Sequence, residues 1–162
     1  MGRRGVLLLA LTLSGCATAL PYGNFLRDPM PETFHARLAS DTVTHVLQLY
    51  PPANTRVTLQ HPMDDPYGTT LVDTLRLKGY AVSEYRPEAT WSRQSLERSE
   101  PPTPSRPVSP EATGVTLRYV LDGPFEAHLY RLTVLIGSQT LSRAYRVSNG
   151  GFTPAGAWVR KE

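Results

Sequence analysis

Beyond Gly114 the chain turns apolar at every second residue: Val115, Leu117, Tyr119 and Leu121, then Tyr130, Leu132, Val134 and Ile136. Alternation of period two belongs to strands with one face in a core and the other in water, so the last third of the chain must build a sheet. Turn formers separate the runs. Asp122-Gly123-Pro124 stands between the first two, and Gly137-Ser138 fits a two-residue type II′ hairpin. Asn149-Gly150-Gly151 then divides a return strand, Gln139 to Ser148, from a final one, Phe152 to Arg160. Pro154 has no N–H to give a ladder, which marks that last strand as an edge.

Helical spacing takes over upstream. Ala36, Ala39, Val43, Val46, Leu47 and Tyr50 predict a helix from Phe34 to Tyr50, stopped by Pro51-Pro52. Arg56 to Gln60 alternates around Val57 and Leu59 as a short strand. A second helix is marked by Asp65 as N-cap, Pro66 at the first helical position, Tyr67, Leu71 and Leu75 on one face, and Gly79 behind Arg76 and Lys78. Tyr80 to Arg86 leaves it as a strand. The expected fold is α+β, an antiparallel sheet with two helices packed on one face. Residues 32–162 form its single domain. Within it, residues 87–113 are dense in proline and serine and poor in apolar side chains, and predict a disordered, solvated insertion.

The N-terminus has a different logic. Arg3 and Arg4, the apolar run Val6 to Leu13, and Leu13-Ser14-Gly15-Cys16 together make a bacterial lipobox, so residues 1–15 read as a cleaved signal peptide. Cys16 is the sole cysteine, and at this position it is an acylation site and not half of a disulfide. No aspartate follows it, which points to the outer membrane, with the domain facing the periplasm. Residues 16–31, with Pro21, Gly23, Pro29 and Pro31, predict an extended lipidated tether; at about 3.3–3.6 Å per residue it would reach roughly 50 Å. Loss of Arg3 and Arg4 takes the basic count from 17 to 15 against 14 acidic residues, a near-neutral chain with no nucleic-acid surface expected.

Catalytic patterns are sparse. His35 and His45 lie off a common helical face and read as solvated helix positions. His61, Asp64 and Asp65 could make a weak metal site, but carboxylates at a helix start are more simply a cap and a complement to the helix dipole. Ser138 sits in a hairpin without a nucleophile elbow, and Gly150-Gly151 precedes a strand, not the helix a phosphate loop needs. The pairs Tyr119 with Tyr130 and Tyr145 with Trp158 read as core or cross-strand contacts and not as a stacking platform. No enzyme, metal or cofactor is expected apart from the covalent lipid on Cys16. The candidate partner interface is the C-terminal edge, with Trp158 and Val159 on opposite faces and Arg160 at the rim; the alternative is that both are covered within the domain and the basic end merely blunts aggregation.

The lipobox Leu13 to Cys16, Pro21-Tyr22-Gly23-Asn24-Phe25, Tyr50-Pro51-Pro52-Ala53, the segment from Tyr67-Gly68-Thr69 to Gly79-Tyr80-Ala81-Val82, Leu129-Tyr130-Arg131-Leu132 and the ending Ala155 to Glu162 follow one another in an order that resembles the conjugal transfer lipoprotein TrbH family. That resemblance implies a structural component of a conjugative type IV secretion (mating-pair formation) apparatus at the outer membrane. Its partners would be the bilayer and other secretion proteins, without direct contact with nucleic acid. An envelope-assembly or transport-auxiliary lipoprotein that binds a lipid or peptide is the alternative, and an envelope hydrolase the weakest reading.

Overall fold

The computed structural model describes residues 22–87, 113–148 and 151–162. Cys16 with its leader, and nearly all of the expected insertion at 87–113, lie outside the described residues. The described chain runs β1 (Gly23–Leu26), α1 (Glu32–Leu49), β2 (Thr55–Leu59), α2 (Pro66–Leu77), β3 (Ala81–Ser83), β4 (Thr113–Phe125), β5 (Leu129–Ile136), β6 (Gln139–Ser148), β7 (Gly151–Pro154) and β8 (Val159–Lys161).

Helix α2 forms as its punctuation dictates. Asp65 Oδ1 accepts the free N–H groups of Tyr67 (3.1 Å) and Gly68 (3.2 Å), and Pro66 occupies a position that needs no donor. At the other end Gly79 has φ +89°. Its N–H reaches Arg76 O (2.9 Å) while Tyr80 N–H reaches Leu75 O (3.1 Å), the paired bonds of a Schellman motif. Helix α1 buries Phe34, His35, Leu38, Ala39, Thr42, Val43 and Val46, while Ala36 is exposed. The buried stripe thus includes polar residues that an apolar pattern passes over. Thr42 can belong to it because its hydroxyl donates to Leu38 O (2.8 Å) and is left with lone pairs to accept the Tyr67 hydroxyl (3.1 Å).

The sheet is mixed, which corrects the expected antiparallel one. Its strand order is β3-β2-β4-β5-β6-β7, with β1 also on β4 and β8 also on β6. Strands β4 to β8 pair antiparallel, but β2 runs parallel to both β3 and β4, and β1 parallel to β4. The reason lies in α2. A strand, a helix and a second strand in one sheet make a crossover unit, and a crossover returns the chain in its original direction. The hairpins were legible because their turns are local. Gly137 has φ +56° while Ser138 has an ordinary φ, as type II′ requires. Asp122-Gly123-Pro124, by contrast, lies inside β4, and Glu126–His128 makes the reversal.

Two of the ladders are built in two pieces. Along β4, β2 covers Thr113 to Leu117 and β1 covers Val120 to Gly123. Between them Gln60 N–H donates to Leu117 O (3.0 Å), and the imidazole of His61 then stands in for a backbone carbonyl, accepting Tyr119 N–H at Nε2 (3.2 Å). Residues 23–26, expected within an extended tether, are therefore part of the sheet. Along β6, β7 covers Tyr145 to Ser148 and β8 covers Thr140 to Ser142. The single expected strand from Phe152 to Arg160 is split after Pro154, with Ala155 N–H to Ala144 O (2.8 Å) bridging the break.

The core lies between the helices and one face of the sheet. Val57, Leu59, Val115, Leu117, Tyr119, Leu121, Leu132, Val134, Ile136, Leu141 and Tyr145 point into it. Phe34 of α1 stacks on Phe152, which stacks on Tyr145, each at 5.0 Å between centroids. Tyr67 of α2 meets Tyr119 edge to face at 4.7 Å. Among the described residues no helix is long and apolar enough to cross a membrane.

Candidate functional site

Acidic and tyrosyl side chains meet at two places between the helices and the sheet. Asp65, already bonded to the first turn of α2, also accepts the Tyr119 hydroxyl at Oδ2 and the Asn24 amide at Oδ1 (3.3 Å). Gly68 makes room for this: a Cβ there would lie 2.7 Å from the Tyr119 hydroxyl oxygen and 3.0 Å from Asp65 Oδ2. At the second place Asp41 of α1 receives Arg143 Nη1 on both oxygens (2.9 Å each) and the Tyr145 hydroxyl (2.5 Å). Burial, reinforced by the neighbouring carboxylate, pushes the Tyr119 and Tyr145 phenols well above their ordinary range, and burial does the same for Tyr67. These phenols are fixed donors, not acids near neutrality.

His61 is used structurally. The His61 ring N–H at Nδ1 donates to Pro62 O (2.8 Å) while Nε2 accepts, so neither nitrogen is left for a metal. Desolvation holds its pKa below the usual histidine value. With Asp65 equally committed, His61, Asp64 and Asp65 do not form the weak metal site the spacing allowed. Among the described residues no cluster of three metal-binding side chains occurs. His35 is not solvated, as its spacing suggested, but only 3% exposed, and burial lowers its pKa. His45 lies flat on Trp158, 5.2 Å between centroids and 8° between planes. Ser138 is an exposed turn residue.

Tyr119 and Tyr145 are core residues, as expected, but the register breaks up the cross-strand pairs. Tyr119 stands opposite Val134, and Tyr130 opposite Tyr145. Trp158 contacts His45 and, at 5.8 Å, the Arg143 guanidinium. At the C-terminal edge Trp158 turns toward the helix layer and is half-buried. Val159 turns outward and is 64% exposed, and Arg160 pairs with Glu162. Sequence reasoning missed the Asp41–Arg143–Tyr145 cluster. Its members are 102 and 104 residues apart and carry no local motif.

The family model described as conjugal transfer protein TrbH matches residues 19–162. The chain belongs to the TrbH family. The match begins at residue 19 and runs through every described element to the last residue, so the mixed sheet and both helices are the TrbH domain in this chain. Membership makes this a conjugal transfer protein. No curated protein and no solved structure matches it. The polar clusters of this TrbH domain fasten helices to sheet, and their geometry supplies neither a nucleophile beside a base nor an open ligand set.

Proposed function

We propose that this conjugal transfer protein is an outer-membrane lipoprotein, anchored by lipid on Cys16 with its domain in the periplasm, and that it serves as a structural or assembly component of the mating-pair-formation type IV secretion apparatus. The observation that carries the reading is the TrbH family match across residues 19–162. Two features support it. The lipobox supplies the anchor, and the half-buried Asp41 and Asp65 and the buried His61, which could have done chemistry, are spent on structural bonds. Partners would meet the C-terminal edge at Trp158, Val159 and Arg160, where no strand among the described residues pairs with the outer side of β7 and β8.

A lipid or peptide carrier finds less support. Clefts among the described residues hold about 320, 340 and 430 Å³, and each has carboxylates in its lining: Asp64, Asp73 and Glu84 in the first, Asp28 and Asp65 in the second, Glu32 and Asp64 in the third. Apolar cargo asks for a drier wall.

Metabolic fatty-acid labelling, membrane fractionation and a mating assay test the proposal together. Wild-type protein should take up label, fractionate with the outer membrane and restore plasmid transfer to a donor lacking the gene; Cys16→Ser should do none of these. Equal labelling of the two proteins, or salt-resistant outer-membrane retention of the unlabelled mutant, would refute the anchor. Undiminished transfer in the deletion donor would refute the role in the apparatus.

A further inference from the structure

The face of the sheet turned away from the helices has a charge pattern that the family assignment does not use. Register places Arg118, Leu135, Thr140 and Lys161 in one row across that face, and Val120, Thr133, Ser142 and Val159 in the next. Asp122, Arg131 and Ala144 form a third row, and Arg146 stands in a fourth beside Thr153. Arg56 belongs to the same face through its pairing with Gly114. Five cations therefore oppose one carboxylate, and Arg131 already occupies Asp122 (2.5 and 3.2 Å). Arg56, Arg118, Arg146 and Lys161 make no ion pair among the described residues. The helix layer has no comparable excess, since Glu32, Asp64 and Asp73 there are set against Arg37 and Lys78.

Shape agrees with charge. A row of short side chains, Val120, Thr133, Ser142 and Val159, runs between Arg118 and Lys161 on one side and Arg131 and Arg146 on the other. Such a surface suits a plane better than a knob. No described element covers it.

The chain enters at the same place. Tyr22, the residue before β1, lies under the Arg118 guanidinium, 4.6 Å from the ring centroid. Because Gly23–Leu26 is sheet, the span from Cys16 to Tyr22 is all that separates a lipid anchor from the folded domain, about 20 Å at full extension. A domain held so closely must turn some face to the headgroups.

We propose that the basic outer face of the sheet lies against an anionic phospholipid leaflet, the one that holds the Cys16 anchor, so that the helix layer faces away from the bilayer and the C-terminal edge, with Val159 and Lys161 at its membrane-side rim, opens sideways. The proposal rests on the lipoprotein reading for its close tether and adds the orientation. Clustered Lys and Arg side chains are drawn to an anionic membrane within a Debye length, so the attachment is salt-sensitive where the acyl anchor is not.

The test uses the full lipidated protein reconstituted into vesicles of phosphatidylcholine alone or with phosphatidylglycerol. A fluorophore sits on Thr116→Cys of the outer face or, as a control, on Thr44→Cys of α1; both positions are exposed. Headgroup-borne quencher should darken the Thr116 probe, and not the Thr44 probe, in anionic vesicles. The difference should vanish in phosphatidylcholine, in about 1 M salt, and in a variant carrying R56E, R118E, R146E and K161E. Equal quenching of the two probes, or a difference that survives the charge reversals, would overturn the proposal. So would tight salt-sensitive binding of duplex DNA by the detergent-solubilised wild type without selective quenching, which would assign the face to nucleic acid. Mass analysis of Cys16 keeps the two readings apart: if it carries no acyl chain, the lipoprotein reading fails by itself. The face is then judged by whether wild type, and not the quadruple variant, sediments with anionic vesicles.

Discussion

Asp65 gathers four bonds from three parts of the chain: the N–H groups of Tyr67 and Gly68, the Asn24 amide and the Tyr119 hydroxyl. Its role as a cap was legible because the cap and its first turn are neighbours in sequence. Asn24 and Tyr119 arrive from 41 and 54 residues away, and nothing in an Asp-Pro-Tyr-Gly motif announces them. The same residue explains why Gly68 tolerates no side chain. Gly68→Ala would drive a methyl into the Tyr119–Asp65 contact, and overpacking of this kind costs about 1–3 kcal/mol despite the better helix propensity of alanine. Thermal or urea unfolding should show that loss, and the double mutant Gly68→Ala/Tyr119→Phe should recover part of it, since the added methyl then meets no hydroxyl. Asp41→Ala should be destabilising by about 1–3 kcal/mol, because it strips the Tyr145 hydroxyl and the Arg143 guanidinium of their partner.

Between β2 and β1 the ladder depends on a neutral imidazole. Protonated His61 could not accept Tyr119 N–H, and desolvation already holds its pKa below the histidine norm. An unfolded histidine takes up protons below about pH 6.5, whereas the folded ring resists them. The unfolded chain therefore binds more protons there, and the stabilisation, fully present above pH 6.5, is lost as pH falls toward the folded pKa. Buried His35 and partly buried His45, also lowered, add to the same slope. His61→Gln retains a side-chain acceptor but does not titrate, so unfolding free energies measured from pH 7.5 to 5 should fall less steeply in this variant. An unchanged slope would place the sensitivity elsewhere. Strand direction was the element-scale property that sequence did not yield. Alternation reports which face of a strand is buried and is the same for parallel and antiparallel neighbours, while only a tight turn fixes direction locally. Hence β5 and β6 were read correctly from Gly137-Ser138. β1 was not read as a strand at all: Gly23, Asn24 and the half-exposed Phe25 present no buried alternation, and its partner lies almost a hundred residues on.

For the molecule as a whole, the question is which surfaces remain free once the helices are seated. Trp158 and Val159 separate two roles on neighbouring residues. Trp158 packs on His45 and the core border, so Trp158→Ala should reduce stability by about 1–3 kcal/mol, less than for a fully buried tryptophan. Val159→Asp should leave the unfolding midpoint nearly unchanged, because the side chain is already in water. If the C-terminal edge receives a partner, that variant should nonetheless lose secretion proteins in pull-downs from solubilised outer membranes. Full recovery of the complex with Val159→Asp would remove the residue from the interface. The two-piece ladder along β4 has a mechanical side as well. Tension applied to the chain ahead of Tyr22 enters through Gly23–Leu26, which run parallel to Val120–Gly123 of the longest strand. A pull along the strand axis shears those rungs together, whereas a pull across the sheet peels them one at a time. Because β4 also anchors β2 on one side and β5 on the other, any strain that β1 survives is handed directly to the middle of the sheet, and the short strand acts as the fuse of the domain.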